Sequence, residues 1–307
     1  MSTAKTKIGV VSMATLAMSG SVAGSAIAAI SADFPNTPIS TVQLLSTLPG
    51  LGALIITLIA GQLAMHVSKK NLVLLGVALV TIGGLIPAFW NSSMIGLLAC
   101  SVILGTGVGF ISTINPMLLS QYFDGEERSS MMGINTGMTS LGSMILMGVG
   151  GVLGGQNWRN LYWVFAVGIL VFLLVLICLP KDEPEKVMVT ADGKKEKVST
   201  VAVLKELQAP VYIIIFIAFL LGIAYTAYAA NLSIVVAERG VGGTAMTGII
   251  NAVGTLGGVA AGFGLKYIRK VTKPNTLAFG FIALLVTLVL TYLSANPFVV
   301  MIAAIFA

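Results

Sequence analysis

The sequence predicts an all-α protein that crosses a membrane many times, and three observations carry that prediction. Of the 307 residues, 57% belong to the apolar set and 9% are charged, whereas a soluble domain has about 25% charged residues. The mean hydropathy is +1.00. Uncharged runs of about 20 residues, the length of a membrane helix, recur along the chain. This composition excludes a soluble enzyme, a disordered chain and a disulfide scaffold.

The apolar runs predict nine complete membrane spans and the start of a tenth. In chain order they lie at 8–30, 42–65, 71–90, 94–118, 130–154, 161–179, 211–234, 244–265 and 275–293, and the tenth begins near Pro297. The runs lack the polar and apolar alternation of barrel strands, so helices are expected. For the first run a signal peptide is the alternative, but the run is long for one, and an uncleaved helix is favoured.

The basic residues indicate the orientation of the spans. If the N-terminus is inside, all but two of the 17 Lys and Arg residues fall on the inner side, and only Arg159 and Arg239 fall outside. This distribution follows the positive-inside rule. We therefore expect a multi-pass protein of the plasma membrane with a cytoplasmic N-terminus. The net charge of +6 then reflects orientation and contact with anionic lipid, and nucleic acid is not an expected partner.

The distribution of hydrophilic residues divides the chain into three parts. We expect an N-terminal six-helix bundle over 1–179, a cytoplasmic central linker over 180–210 and a partial C-terminal bundle over 211–307. The linker's charges are balanced, so a solvated hinge is favoured over a catalytic or regulatory role. Residues 198–208 within it are compatible with a short surface helix.

A short internal repeat supports two related bundles. After a shift of about 200 residues, the run 61–70 at the end of the second span matches the run 262–270 at the end of the eighth. Each has a glycine near a helix end, followed by an inner basic turn. Parallel repeats of six helices are typical of secondary transporters. On that plan the chain stops within the second bundle, so a truncated second half is expected.

Short motifs lie at matching places in the first bundle. The loop after the second span is similar to the pattern Gly-x-x-x-Asp-Arg-x-Gly-Arg-Lys/Arg. Gly61, Lys69 and Lys70 match it, whereas Met65 replaces the acidic residue.

The fourth and fifth spans carry two further motifs. The fourth is similar to Arg-x-x-x-Gly-x-Gly, with Ser101 in place of the arginine before Gly105. In the fifth, Gly150, Gly154 and Gly155 match the antiporter pattern Gly-Pro-x-x-Gly-Gly, with glycine in place of its proline.

Through these motifs and the layout of its spans, the chain resembles the major facilitator superfamily, and within it the drug:proton antiporter-like members. The resemblance implies two bundles that expose a central cavity to each side in turn. It implies gating or conformational roles for Gly61, Lys69, Lys70, Gly105, Gly150, Gly154 and Gly155. The substitutions at Met65 and Ser101 remove a gate carboxylate and a coupling arginine, so the family mechanism does not transfer whole. Pro116 predicts a bend in the fourth span, either as a gate or without function.

Neutral polar residues are the candidate substrate contacts, because no span has an ionisable residue in its interior. Asn135 and Thr139 share a face of the fifth span with Ser143, and Asn251 lies on a similar face of the eighth between Thr247 and Thr255. Helix packing is the favoured alternative for both stripes. The seventh span carries three further candidates, Tyr225, Tyr228 and Asn231. For these, substrate binding and an interfacial aromatic belt are weighted equally.

Other polar residues receive simpler interpretations. His66 is interpreted as a loop-end residue rather than a proton carrier, Gln43 as a helix cap, and Asp33 as a further candidate proton group at the outer mouth. Cys100 and Cys178 have no metal-ligand spacing. No glycine group precedes Lys-Ser/Thr, so a nucleotide-driven pump is not expected.

The sequence thus favours a secondary transporter for a small organic solute, with efflux by proton antiport as the first interpretation. The alternatives are an importer or facilitator of a neutral metabolite such as a sugar, and a truncated membrane protein with a sensing or binding role. The expected partners are the solute, the lipid bilayer and, as coupling ion, protons. No cofactor, metal or catalytic residue is expected, and an enzyme is the least favoured class.

Overall fold

The computed structural model describes residues 4–182, 209–272, 276–294 and 296–305, and within them every regular element is helical. In chain order the helical segments are α1 Ala4–Asp33, α2 Ile39–Ala64, α3 Lys69–Phe89, α4 Met94–Tyr122, α5 Gly125–Leu153, α6 Trp158–Cys178, α7 Ala209–Glu238, α8 Thr244–Thr272, α9 Thr276–Leu293 and α10 Pro297–Ile305. The predicted all-α membrane fold is confirmed. Seven of the described helices are long and apolar enough to cross a membrane.

The observed boundaries differ from the predicted ones mainly at polar ends. Helix α8 continues to Thr272, beyond the predicted end at 265, so its basic residues are still helical. Helix α7 begins at Ala209, inside the predicted linker. Hydropathy marks the apolar part of a helix and misses the polar turns that extend it into the interface. The expected surface helix over 198–208 lies outside the described residues.

Helix α1 is the least regular span, because small and hydroxyl residues weaken its α-helical pattern. It comprises an α-helix over Ala4–Ala14, a 3-10 segment over Ser19–Ala26 and a second α-helix over Ile27–Asp33. Near the break the hydroxyl of Thr15 donates to the carbonyl oxygen of Ser12 at 2.7 Å. Such local bonds compete with the regular helix ladder. The result is a span whose 3-10 segment contacts the second half of the chain.

Side chains cap the N-termini of several helices in the first half of the chain. Ser68 accepts a hydrogen bond from the backbone N–H of Asn71 at the start of α3, at 3.3 Å. At the start of α6, the Asn157 side chain accepts from the backbone N–H of Arg159 at 3.1 Å. These oxygens satisfy N–H groups that a helix start leaves without partners.

The buried apolar side chains form two clusters, one on each side of the central linker. The first runs from Val10 to Leu179 and is built from α1 to α6. The second joins Tyr228 to Ala304 and is built from α7, α8 and α10 with the turn after α7. The boundaries 1–179, 180–210 and 211–307 stay predictions.

The two halves meet along α5 with α8 and along α1 with α7 and α8. Glycines bring α5 and α8 into close approach: a Cβ built on Gly248 would lie 2.5 Å from the Cα of Gly151. A Cβ built on Gly155 would lie 3.1 Å from the Cβ of Ala245. No side chain longer than hydrogen fits at Gly248 unless the helices separate, so this contact depends on glycine.

Candidate functional site

A cavity of about 230 Å³ lies between the two halves of the chain, bordered by α1 and α5 on one side and by α7, α8 and α10 on the other. Its lining consists of Met18, Ser140, Ser143, Met147, Tyr225, Tyr228, Ile250, Asn251, Gly254, Thr255 and Ala304. The lining combines long apolar side chains with hydroxyl and amide groups, and none of these residues is charged. A cavity of this kind suits a small uncharged organic molecule.

Tyr228 borders the larger cavity and carries a buried hydroxyl. The residue is 7% exposed, and its hydroxyl lies beside that of Thr291 on α9. Both hydroxyls are buried without a well-formed hydrogen bond among the described residues. A buried polar group without a good partner carries a free-energy cost. A hydrogen bond from a bound molecule to the Tyr228 hydroxyl would remove that cost.

A second cavity of about 90 Å³ lies between α1, α2, α5, α7 and α8. Its lining consists of Ser21, Gly24, Ser46, Thr47, Met147, Tyr225, Thr226, Ala229, Ala230 and Asn251. Met147, Tyr225 and Asn251 line both cavities. These three side chains therefore stand between the two spaces.

Hydrogen bonds between the halves gather near the smaller cavity. Asn251 on α8 donates from Nδ2 to the hydroxyl oxygen of Ser25 on α1 at 3.3 Å. Gln43 on α2 donates from Nε2 to Oδ1 of Asn231 on α7 at 2.9 Å. The interpretation of Gln43 as a simple cap missed this contact. Asn231 lines neither cavity and instead joins α7 to α2.

The predicted polar stripe of α5 is divided between two environments. Asn135 accepts from Nδ2 of Asn115 on α4 at 2.9 Å, and the Thr139 hydroxyl donates to the carbonyl oxygen of Asn135 at 3.0 Å. Neither residue lines the two cavities. Ser143, the third member, does so. Ser140 was missed, although its spacing of three residues from Ser143 places both hydroxyls on one helix face.

The residues considered for proton transfer lie away from both cavities. The Asp33 carboxylate accepts from Nε1 of Trp158 at 2.8 Å and is ion-paired with Arg159 at 2.9 Å. His66 is exposed and lies 3.1 Å from the carbonyl oxygen of Gln62. Among the described residues, no three His, Cys, Asp or Glu side chains form a metal cluster.

Comparison with known protein families identifies the family of this chain. Residues 9–307 match the sequence profile of the Major Facilitator Superfamily. The chain belongs to the Major Facilitator Superfamily. An arabinose-proton symporter of Escherichia coli (strain K12) is 30% identical over 133 residues, which cover 43% of this chain and 28% of the relative. A Mycobacterium tuberculosis protein described as the uncharacterized MFS-type transporter EfpA is 26% identical over 147 residues, which cover 44% of this chain and 26% of the relative.

Solved structures of Major Facilitator Superfamily proteins share the fold. The nucleoside transporter NupG superposes with a TM-score of 0.71 at 14% identity, over 98% of this chain and 78% of that one. A D-xylose-proton symporter superposes with a TM-score of 0.69 at 15% identity, over 98% of this chain and 77% of that one. At such identities the likeness shows the fold alone. The segments matched in the two sequence relatives span about a quarter of those relatives' length.

The loop after α2, which resembles the family's loop pattern, is anchored within the first half. The carboxylate of Asp182 accepts from the backbone N–H groups of Lys69 and Lys70, at 2.7 and 3.0 Å. Lys69 Nζ donates to Oε1 of Gln121 on α4 at 2.8 Å. Lys70 Nζ donates to the carbonyl oxygen of Leu176 at 2.8 Å and to that of Leu179. The start of α3 and the end of α6 are thereby joined.

Two of the glycines given gating roles, Gly105 and Gly154, lie at close helix approaches. A Cβ on Gly105 would lie 2.2 Å from the carbonyl oxygen of Pro49, so it sets the contact of α4 with α2. A Cβ on Gly154 would lie 3.0 Å from both Leu161 on α6 and Thr244 on α8.

Three further residues with predicted gating roles have the following surroundings. A Cβ on Gly150 would meet Val22 on α1 at 3.3 Å, whereas one on Gly61 would meet only the end of Met117, at 3.8 Å. Helix α4 continues through Pro116 to Tyr122.

Proposed function

We propose that this chain carries a small, uncharged organic solute across the membrane by alternating access between its two bundles. The observation that supports this most directly is the cavity of about 230 Å³ between the halves. Both halves contribute to its lining, so relative motion of the bundles would open and close it. In this proposal Tyr225, Tyr228 and Asn251 contact the solute. Asn231 belongs to the closing contacts, and Asn135 and Thr139 to helix packing.

The absence of charge from the lining favours neutral solutes. A phosphate or dicarboxylate entering either cavity would lose hydration, and none of the lining residues offers it a positive partner. A neutral molecule needs only hydrogen bonds and apolar contact. The site thus favours solutes with uncharged polar groups and an apolar part.

Efflux by proton antiport is the direction that we propose first. Its support is the glycine pattern of Gly150, Gly154 and Gly155, which resembles the antiporter motif; its last two glycines lie where α5 approaches α8. No carboxylate lines either cavity, so the proton site of this proposal lies outside the two linings. In the same proposal the N-terminus is cytoplasmic, the membrane is the plasma membrane, and the basic loops contact its anionic lipids.

Uptake of a neutral sugar is the second candidate. One relative is an arabinose-proton symporter, and the cavity hydroxyls and the Asn251 amide offer partners for the hydroxyl groups of a sugar. The two candidates differ in direction. A proton gradient drives the solute out in exchange for protons in the first and inward together with protons in the second.

Flux through purified protein in lipid vesicles tests the proposal. The panel contains labelled arabinose, uncharged aromatic solutes and phosphate as the charged comparison, each with and without a pH gradient. We expect saturable flux of neutral solutes and none of phosphate. Absence of saturable flux for every solute, from protein shown to be folded, would contradict transport by this chain and favour a sensing or binding role.

A pair of tyrosine variants tests the cavity itself. Tyr228→Phe removes one buried hydroxyl from the lining, and we expect a change in KM of about threefold to tenfold from the lost hydrogen bond. Tyr162→Phe is the matched control, because its hydroxyl is also buried without a hydrogen bond but lies in the first bundle. Equal effects of the two variants on KM would argue against solute contact at Tyr228.

A further inference from the structure

We infer that the two cavities are two subsites of one solute site, separated by Met147, Tyr225 and Asn251, and that the smaller subsite selects solutes by their hydrogen-bond donors. The inference rests on the proposed transport function and extends it to the chemistry of the solute. The named solute class is a neutral molecule with an apolar body and a hydroxyl-bearing end.

The contrast between the two linings supports separate subsites. Besides the three shared residues, the larger cavity has the long apolar side chains of Met18 and Ile250. In the smaller cavity the unshared residues are all small, and their apolar parts are short, such as the methyl groups of Ala229 and Ala230. An apolar body therefore gains more contact in the larger space, since burial of apolar surface scales with area.

Two of the serine and threonine hydroxyl groups that line the smaller cavity, those of Ser46 and Thr226, are set up to accept hydrogen bonds. The Ser46 hydroxyl donates its proton to the carbonyl oxygen of Gln43 at 2.8 Å. The Thr226 hydroxyl donates to the carbonyl oxygen of Gly222 at 2.7 Å. A hydroxyl has one proton and two lone pairs. Each oxygen is therefore left with acceptor capacity toward a molecule in the cavity.

The amide of Asn251 adds a further acceptor at the division between the cavities. Its Nδ2 donates to the hydroxyl of Ser25 at 3.3 Å. In this arrangement Nδ2 faces α1 and Oδ1 is left as an acceptor. With Ser46 and Thr226, the smaller subsite presents several uncharged acceptors. A donor-bearing neutral solute satisfies them, whereas a cation would lose hydration without gaining a carboxylate.

The size of the smaller cavity limits which part of a solute enters it. Its volume is about 90 Å³, against about 230 Å³ for the larger one. The smaller space thus takes a few heavy atoms, such as the hydroxyl-bearing end of a polyol, and the larger one takes an aromatic or branched body.

The experiment measures binding and flux separately with two matched probes. The first is phenyl β-D-glucopyranoside, and the second is its tetra-O-methyl derivative, which keeps the oxygens and the phenyl group but has no O–H donor. Binding is measured on the purified full chain by calorimetry, and flux is measured in vesicles. We expect the glucoside to bind at least tenfold more tightly than its methylated form.

The variants remove the two acceptors with small changes in shape. In Ser46→Ala/Thr226→Val we expect affinity for the glucoside to fall about fivefold to thirtyfold, as for one or two lost hydrogen bonds, with little change for the methylated probe. Thr136→Val is the matched control, because its exposed hydroxyl makes the same type of bond, to the carbonyl oxygen of Met132 at 3.1 Å, outside both cavities.

The possible outcomes test the donor-selective subsite and the proposed transport separately. Equal affinity of the wild-type chain for the two probes, or equal effects of the double variant and Thr136→Val, would overturn the donor-selective subsite even if flux is observed. Selective binding without flux would support the subsite and contradict transport. No binding or flux of either probe would overturn the subsite, and the wider flux panel would then decide on transport independently.

Discussion

The hydroxyl of Ser233 on α7 donates to the carbonyl oxygen of Ser25 on α1 at 3.1 Å, directly across the boundary between the halves. The same hydroxyl accepts from the backbone N–H of Ala28 at 3.1 Å. Ser25 is fully buried, and its own hydroxyl accepts from Asn251 on α8. One short segment of α1 is thus bonded to two helices of the second half. In the proposed alternating-access cycle, opening of the site at the end that carries Asp33 requires release of this segment.

Replacement of Ser233 by alanine is expected to weaken this closure. The change removes a donor and an acceptor, each worth about 0.5–1.5 kcal/mol, so the population open at the Asp33 end should rise about tenfold. Reactivity of Ser46→Cys with a membrane-impermeant thiol reagent, in a chain without Cys100 and Cys178, reports that opening. Reactivity should rise when the reagent is applied from one side of the membrane and stay unchanged from the other.

The control for this measurement is Ser120→Ala. Its exposed hydroxyl donates to the carbonyl oxygen of Pro116 at 3.0 Å and touches neither interface nor cavity. If Ser233→Ala labels no faster than Ser120→Ala from either side, the contact between Ser233 and Ser25 does not hold the site closed.

The close approach of α5 and α8 gives a second prediction. In Gly248→Ala the new Cβ would lie 2.5 Å from the Cα of Gly151 and 2.7 Å from the carbonyl oxygen of Met147. Backbone atoms cannot move aside singly, so the helices must separate, at a cost of about 1–3 kcal/mol as in other overpacked sites. We expect a lower Tm for the purified protein, by several degrees.

Gly137→Ala on α5, the helix that packs against α8, is the matched control. A Cβ there would meet nothing within 4 Å, and alanine is favoured over glycine in a helix by about 0.8–1.0 kcal/mol. Its Tm should therefore be unchanged or slightly raised. A Tm for Gly248→Ala as high as that of Gly137→Ala would mean that α5 and α8 do not approach this closely.

The fold was largely predictable from sequence because membrane helices are set by a local property. Each needs an apolar run long enough to cross the bilayer, and such runs can be counted without knowing their neighbours. The errors lay at polar ends, as where α8 continues to Thr272. Deviations inside a span were also missed, as in the 3-10 segment Ser19–Ala26, because they depend on packing against other helices.

The candidate site was only partly predictable. Helical spacing shows which residues share one face of a helix, but it does not show which other helix packs against that face. Asn135 and Ser143 share a predicted stripe, but Asn135 bonds within the first bundle, whereas Ser143 lines the cavity. Asn251 bonds to Ser25, 226 residues away in sequence. Such pairings arise from tertiary packing, and no pattern within one helix encodes them.

The contact of Asp182 with the start of α3 gives a third prediction. Its carboxylate accepts from the backbone N–H groups of Lys69 and Lys70. It therefore acts as an N-cap brought from a distant segment. Loss of such a cap costs about 1–2 kcal/mol, so we expect Asp182→Ala to lower the Tm of the purified chain. Asp124→Ala is the matched control, since Asp124 is the N-cap residue of α5 but forms no side-chain cap bond.

The two aspartate variants separate capping from general charge effects. Both remove one acidic residue near a helix start, and only Asp182 forms the cap bonds. If the two variants lower Tm equally, the contribution of Asp182 is electrostatic and does not come from the two hydrogen bonds to α3.

The position of Asp33 gives a fourth prediction, on the coupling of flux to protons. Because its carboxylate is bonded to Trp158 and Arg159, we expect it to join α1 to α6 and to take no part in proton transfer. Asp33→Asn keeps an acceptor for Trp158 and loses the ion pair, which for partly exposed groups is worth about 0.2–1 kcal/mol. Flux should keep its dependence on the pH gradient, while fluorescence of Trp158, in a chain with Trp90→Phe and Trp163→Phe, should shift slightly.

Glu126→Gln, an exposed change of the same charge, is the control. Folded Asp33→Asn protein that has lost gradient-driven flux, beside active Glu126→Gln, would instead make Asp33 the proton-coupling group.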